Sequence, residues 1–257
     1  MRRILPPLIL GLLILGAWEG GVRVLAVKQY LVPGPVAIMR TLADDWQTLA
    51  ASWWITMSIA IAALAAAVVL GVLLAVLFSA SKWVERSFSP YAVILQVTPI
   101  VAIAPLIIVW VNDIKLSLLI CAWIVAFFPV LSNTTLGLNS ADRNLVDLFR
   151  LYRANGLQRL FYLRLPSAMP YFLAGLKISG GLSLIGAVVA EFVAGTGGEE
   201  SGLAWRILES GYQLKVPRMF AALALISLSG IAIYLALSLL SHLCLRRWHE
   251  SELRPDE

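Results

Sequence analysis

Six long apolar stretches divide the 257-residue chain, and shorter polar segments separate them. A helix that crosses the hydrocarbon core of a bilayer needs about 20 mostly apolar residues. Each stretch meets that length, so the pattern predicts an all-α membrane protein with six transmembrane helices. The predicted spans cover residues 5–27, 52–78, 88–111, 116–138, 171–194 and 219–245.

The first stretch admits two interpretations, because a basic N-terminus followed by an apolar run is also typical of a secretory signal peptide. No small-residue cleavage site closes the run, and further spans follow it. We therefore predict a retained first helix. Glu19 and Arg23 interrupt this helix, and their spacing of four residues lets the two charges pair on one helix face.

Composition excludes an ordinary soluble domain. Hydrophobic residues make up 60% of the chain and charged residues 14%, whereas soluble domains have roughly 25% charged residues. The net charge of +5 could suit a nucleic-acid-binding protein, but in a membrane protein it is more typical of basic cytoplasmic loops. If both termini are cytoplasmic, thirteen of the 20 Lys and Arg residues lie on the cytoplasmic side. We predict this orientation, with no nucleic-acid partner.

The chain carries no recognisable catalytic or metal-binding motif. The phosphate-binding pattern G-x-x-x-x-G-K-[ST] is absent, the histidines are His242 and His249, and Cys121 and Cys244 lack metal-ligand spacing. We predict a protein that is not an enzyme and that itself binds neither metal nor cofactor. One function open to such a membrane protein is that of a secondary transporter or channel that works without an ATPase. Such carriers, however, usually place ionisable groups near the middle of the membrane.

A polar segment, residues 139–170, separates the fourth and fifth spans on the cytoplasmic side of this topology. We predict a first short helix over Leu145–Arg153 that stops at Asn155-Gly156, and a second over Leu157–Leu163 that ends at Leu165-Pro166. The alternative N-caps of the first helix are Ser140, Asp142 and Asn144.

The first of these helices would carry an apolar stripe formed by Leu145, Leu148, Phe149 and Tyr152, with arginines beside it. The residues alone leave two roles open for this stripe. The helix could rest on lipid headgroups with its arginines on phosphates. Alternatively, its apolar side chains could enter a groove on a partner protein.

The same segment resembles the cytoplasmic loop of ATP-binding-cassette importer permeases. In that family the loop begins with an acidic residue and two alanines, continues to a glycine and ends in Leu-Pro. Aligned on Leu165-Pro166, Asp147 takes the acidic position, Leu148-Phe149 replace the alanines and Arg153 replaces the glycine.

Other stretches resemble the nitrate, sulfonate, taurine and pyrimidine branch of this family, in the same order along residues 10–248. They are LVPGPVAIMRTL after the first span, LQVTPIVAIAPLIIVWVN in the third, FFPVLSNTTLGL in the fourth and AEFVAGTGGEESGLAWRI at the end of the fifth. Asn112 stands where the family commonly has glycine.

The resemblance implies a single transmembrane permease domain over residues 1–257, in the inner membrane of a bacterium, with the type I importer fold and alternating access. Its implied partners are an ATPase subunit that binds ATP and Mg²⁺, an external solute-binding protein and membrane lipid. A second copy of the permease is also expected, because six helices are few for enclosing a gated path. The expected solute is a small organic molecule, a pyrimidine-type thiamine precursor first, and a sulfonate, taurine or nitrate next. The residues expected to couple to the ATPase are Asp147, Leu148, Phe149, Arg150, Tyr152, Arg153, Ala154, Asn155, Leu165 and Pro166.

Candidate residues of the translocation path are polar groups inside the fourth and fifth spans. Each also has a structural interpretation, because hydroxyl and amide groups join helices by hydrogen bonds and a buried carboxylate can pair with a nearby arginine. Small residues along the fifth span, among them Gly175, Gly180, Gly181 and Gly186, are expected to permit close helix packing or contact with a second copy. The path candidates are Ser132, Asn133, Ser179, Ser183 and Glu191.

Overall fold

The computed structural model of the chain describes residues 5–195 and 201–246, so the extreme N-terminus and His249 lie outside the described part. The described part contains eleven α-helices, one π-helical turn and no strand, which confirms the all-α prediction. The helices are α1 (Leu5–Val24), α2 (Pro35–Asp44), α3 (Trp46–Ala80), α4 (Lys82–Val97), α5 (Ile100–Val111), α6 (Ile114–Leu138), α7 (Arg143–Leu151), α8 (Gly156–Arg159), α9 (Leu165–Ala194), α10 (Leu203–Tyr212) and α11 (Val216–Leu245).

Five helical segments are long and apolar enough to cross a membrane: α1, α3, α6, α11 and the continuous run Gly156–Ala194 that includes α9. They correspond to the predicted first, second, fourth, sixth and fifth spans. The main difference is length, since α3 extends to 35 residues and the helical run of the fifth span begins within the predicted polar segment.

The predicted third span is not one continuous helix. It consists of α4 and α5, whose axes differ in direction by 102° across the break at Thr98-Pro99. Pro99 has no N–H to continue the ladder of α4, and a residue that precedes proline is pushed into the extended region, as Thr98 is at φ −71° and ψ 123°. The prediction of six spans therefore holds only if this bent pair counts as one broken span.

By internal packing the described residues divide into two units. The first unit contains those up to Thr56 and from Gly195 to Leu228, and the second those from Met57 to Ala194 and from Ser229 onward. Two of the boundaries fall inside α3 and α11, so these two helices contribute to both units, and the third follows the end of α9.

In the first unit, Glu19 holds the beginning of α2. One of its carboxylate oxygens accepts a hydrogen bond from the Nε of Arg23 at 2.7 Å, which confirms the expected pair, and the other accepts from the backbone N–H of Val36 at 3.1 Å. A Cβ on Gly34 would lie 2.5 Å from this carboxylate. Glycine at the N-cap and Pro35 at the first helical position therefore let a distant carboxylate supply the cap that the Gly34 side chain lacks.

In the second unit, α6 and α9 form the most extensive helix pair. Their backbones approach closely where glycine lies in the contact: a Cβ on Gly186 would lie 2.8 Å from the Cα of Ala122, and one on Gly175 would lie 2.6 Å from the carbonyl oxygen of Pro129. This confirms close helix packing for these two glycines. Gly181 has no atom within 4 Å of a Cβ position, so its face of α9 is open.

Candidate docking segment and translocation path

The short helix α7 begins with an Asp cap. Of the three alternative N-caps, the structure selects Asp142, whose Oδ1 accepts hydrogen bonds from the N–H groups of Asn144 at 2.7 Å and Leu145 at 3.4 Å. A carboxylate at this end also favours the positive end of the helix dipole. The helix therefore begins two residues before the predicted Leu145 and ends two residues before the predicted Arg153.

Arg153 ends α7 in the left-handed conformation, with a φ of +54°. The N–H of Ala154 donates to the carbonyl of Phe149, and the N–H of Arg153 donates to the carbonyl of Arg150, both at 2.9 Å. These two bonds form a Schellman motif, in which the left-handed position is usually glycine. The backbone therefore has the conformation that favours the family glycine, although the residue is arginine.

The predicted stop at Asn155-Gly156 is the start of the next helix instead. Asn155 and Gln158 form a reciprocal capping box, because each side chain accepts a hydrogen bond from the backbone N–H of the other at 2.8 Å. The turn between α7 and α8 thus consists of Tyr152–Asn155, and helical structure continues from Gly156.

The predicted break at Leu165-Pro166 is wrong, since the chain passes into α9 through the π turn Leu160–Arg164. The N–H of Leu165 donates to the carbonyl of Leu160, five residues back. Proline lacks an N–H and its ring clashes with the carbonyl four residues before it in a regular α-helix. The wider π turn accommodates Pro166 without ending the helix.

Large apolar side chains are exposed on and around α7. Leu148 is 43% exposed, and Leu151 and Tyr152 are each 81% exposed. The predicted stripe omitted Leu151, which the structure leaves exposed beside Tyr152. Further exposed apolar side chains follow at Leu157, Phe161 and Tyr162.

A hollow of about 490 Å³ opens beside this surface. Leu148, Phe149 and Tyr152 form one wall, while Gln158 and Tyr162 form the other. The sequence does not predict this hollow, because its two walls belong to separate helical segments. The turn at Arg153 brings these segments together. Its size is sufficient for side chains of a partner protein to enter.

The charges near α7 are exposed and weakly paired. Arg150 lies 3.2 Å from Asp147, with both side chains about two-thirds exposed. Exposed pairs of this kind contribute about 0–1 kcal/mol, so both groups stay available for other contacts. Arg143 and Arg153 are also exposed.

The path candidates do not all share one environment. Ser179 is buried and donates to the carbonyl of Ala126 at 2.6 Å, which joins α9 to α6. Ser183 is buried and donates to the carbonyl of Gly180 within its own helix.

The remaining candidates differ in exposure. Asn133 is half-buried and donates to the carbonyl of Pro129, whereas Ser132 is exposed. Glu191, near the end of α9, is only 3% exposed. Membership of the path remains a prediction for all five residues, although the hydrogen bond of Ser179 to Ala126 joins two helices as the structural interpretation expects.

Residues 5–195 and 201–246 contain no group of three or more His, Cys, Asp or Glu side chains placed to hold a metal ion. The arrangement as a whole is an apolar helical body with an exposed amphipathic segment between α6 and α9.

The chain is similar to known membrane components of transport systems. Residues 67–248 match the family profile described as "Binding-protein-dependent transport system inner membrane component". The chain is 32% identical to the formylaminopyrimidine transport permease protein ThiX of Halalkalibacterium halodurans, over 94% of this chain and 95% of the relative. It is 31% identical to the riboflavin transport system permease protein RibX of Chloroflexus aurantiacus, over 93% and 88%.

The chain is also similar to a third transport permease and to one solved transporter structure. The taurine transport system permease protein TauC of Escherichia coli is 28% identical, over 86% of this chain and 77% of the relative. A solved structure of an amino acid ABC transporter with histidines superposes with a TM-score of 0.62 at 18% identity, covering 80% of this chain and 96% of the other. At that identity the structural likeness bears on the fold alone.

Proposed function

Since this chain belongs to the binding-protein-dependent transport system inner membrane components of ATP-binding-cassette importers, we propose that two copies of it form the translocation path for one small organic solute. The chain is the transport subunit in the inner membrane, and ATP hydrolysis belongs to a separate subunit. An ATPase and a solute-binding protein are the partners that this family implies. A secondary transporter or channel without an ATPase does not fit this membership.

In this proposal α7 and the turn after it receive the motion of the ATPase. The observation that carries this role is the exposed apolar surface of Leu148, Leu151 and Tyr152 beside the hollow of about 490 Å³. An amphipathic helix with exposed apolar residues and a nearby cavity is more typical of a segment that docks into a groove on a partner protein than of one that lies on lipid headgroups. Asp147, Arg150 and Arg153 would surround the contact with charge, which favours correct orientation more than affinity.

The other predicted coupling residues have geometric roles. Ala154 and Asn155 form the turn that sets the angle between α7 and α8. Leu165 and Pro166 follow the π turn, where the docking segment joins α9. A displacement of α7 would thus pass through the turn Tyr152–Asn155 into the continuous helical run Gly156–Ala194, which includes α9.

The docking role is tested with Leu148→Asp combined with Tyr152→Asp. Full burial of such side chains contributes about 1.5–3 kcal/mol each, so losing both should weaken ATPase association on the order of 100-fold or more. ATP-driven uptake should stop while the permease still inserts. The matched control is Leu214→Asp, which replaces a leucine that is 72% exposed on the predicted outer side. Normal ATPase copurification and uptake by the double variant would contradict docking through α7.

The homodimer is proposed on the open face of α9. Ala174, Ile178, Gly181 and Ile185 recur on one side of this helix and are exposed or half-exposed. The small residues Ala174 and Gly181 would let a second α9 approach closely. Ser183 and Glu191 lie on the same helix but are buried, and Ser183 points to the side of α9 opposite this face, so their place in the path stays a prediction.

Cysteine cross-linking tests that face. Ile178→Cys should form a cross-linked dimer in membranes, whereas a cysteine at Leu223, which is similarly exposed on α11, should not. The opposite pattern would place the dimer contact on another helix.

For the solute, we propose a pyrimidine-type thiamine precursor first and a sulfonate, taurine or nitrate next. The similarity to ThiX over nearly the whole of both chains supports this order, as does the shortage of cationic side chains inside the apolar spans, where a tightly held anion would need them. Uptake into vesicles that contain the permease, its ATPase and the binding protein tests the order directly. Transport of taurine or nitrate without transport of formylaminopyrimidine would reverse it and leave the family assignment intact.

A further inference from the structure

A cleft of about 660 Å³ lies within the second unit, between the last turn of α3 and the segment Asn155–Arg164. Ser79 and Ala80 form its edge on α3, while Arg159 and Arg164 face it from the opposite side. The cleft is separate from the hollow beside α7, because the two share no lining residue. Asn155, in the turn after α7, also lines the cleft, but the apolar side chains proposed to contact the ATPase, Leu148, Leu151 and Tyr152, do not.

The cleft carries positive charge without a matching negative group. Among the described residues that line it, two are arginines and none is acidic. Arg164 is fixed in place, since its Nη1 donates to the carbonyl of Ser79 at 2.9 Å. This bond satisfies one of the last carbonyls of α3 and places a cation at the negative end of the helix dipole.

Arg159, unlike Arg164, leaves a buried hydrogen-bond donor for a ligand to satisfy. Its Nε is buried and has no hydrogen-bond partner among the described residues. A buried donor on a charged group costs free energy when it is unpaired, so a bound acceptor would stabilise it. A phosphate oxygen is an acceptor that matches the planar guanidinium well.

The remaining walls are apolar. Val76, Leu157 and Leu160 line the cleft beside the arginines. A ligand with an anionic head and an apolar body would therefore contact both kinds of surface. The cleft also lies at the end of a 35-residue apolar helix, where a membrane-spanning segment meets the headgroup layer.

We propose that this cleft binds the phosphate of an anionic membrane lipid, with Arg159 and Arg164 as its ligands and the apolar wall against the first part of an acyl chain. The inference rests on the proposed function in one respect: the cytoplasmic orientation of the segment places the cleft at the leaflet face rich in anionic lipid. The bound lipid would neutralise the cleft and hold the segment Asn155–Arg164 against the end of α3. Free inorganic phosphate and an acidic side chain of the ATPase are the competing ligands.

The test uses the intact importer in detergent, titrated with phosphatidylglycerol or phosphatidylcholine and examined by native mass spectrometry. The importer should retain phosphatidylglycerol preferentially. Arg159→Gln should weaken that retention about fivefold, as expected for one arginine at a lipid surface. Arg159→Lys should keep most of it, and Arg143→Gln, at an exposed position that does not line the cleft, should leave it unchanged.

Several results would overturn the proposal. These are equal retention of the two lipids, no effect of Arg159→Gln, or displacement of the lipid by an equimolar concentration of inorganic phosphate. Loss of ATPase copurification in Arg159→Gln with unchanged lipid retention would assign the cleft to the protein partner and also overturn it. If lipid retention fails these tests while ATP-driven uptake proceeds, the proposed transport function stands. If no ATPase copurifies with the unsubstituted permease, the proposed function fails whatever lipid is bound.

Discussion

Replacing Arg153 by glycine should stabilise the docking segment. Arg153 has a φ of +54° and closes the Schellman motif at the end of α7. In this conformation the Cβ of an L-residue crowds the following carbonyl, which costs about 1–2 kcal/mol. Glycine has no Cβ and avoids that cost, so Arg153→Gly relieves local strain without removing either backbone hydrogen bond of the motif.

The net effect is smaller than the strain relieved. Glycine also gives the unfolded segment more freedom, which reduces the gain by about 0.5–1 kcal/mol. We therefore expect Arg153→Gly to stabilise the turn by about 0.5–1 kcal/mol. This corresponds to roughly a twofold to fivefold lower population of the open turn.

Hydrogen exchange of the Arg153 and Ala154 region measures this population, because the N–H groups of both positions close the motif. Exchange at position 154 should slow by about twofold to fivefold in Arg153→Gly. Arg150→Gly is the matched control, since it makes the same chemical change inside α7. There glycine costs about 1 kcal/mol, so exchange should accelerate by about fivefold.

The control loses little else, because the Arg150–Asp147 pair is exposed and contributes about 0–1 kcal/mol. Faster exchange in Arg153→Gly than in the unsubstituted protein would refute the left-handed turn. Equal responses of the two variants would refute it as well, because the argument depends on opposite signs three residues apart.

Two other predictions concern packing and topology. Gly186→Ala should destabilise the protein by about 1–3 kcal/mol, because the new methyl group would lie 2.8 Å from the Cα of Ala122. Gly20→Ala, inside α1 where the site is open, should not lower the thermal midpoint, and equal losses in both would contradict the close α6–α9 contact. A cysteine at the exposed Gln213 should react with an impermeant thiol reagent from outside, and one at the exposed Asn144 only from the cytoplasm. Reversed labelling would invert the proposed orientation.

The family and most of the spans could be predicted from the sequence, because lipid imposes a strong constraint. A chain in hydrocarbon must satisfy its backbone groups within helices, so runs of about 20 apolar residues are readable directly. The pairing of Glu19 with Arg23 was also predictable, since four residues always bring two side chains to one face of a helix. The polar segment between α6 and α9 was visible because charge is rare in the rest of the chain.

Other features depended on tertiary structure, because local patterns do not specify how one segment meets another. The sequence shows Pro99, but only the packed chain decides that α4 and α5 turn by 102° there. It shows Arg153 in place of glycine, but not the φ of +54°, which accompanies the two backbone hydrogen bonds that close the Schellman motif at the end of α7. Arg164 reaches the carbonyl of Ser79 across 85 residues of sequence, a distance over which no periodicity carries information. The hollow beside α7 and the cleft at Arg159 arise in the same way, since each forms between helices that the sequence presents separately.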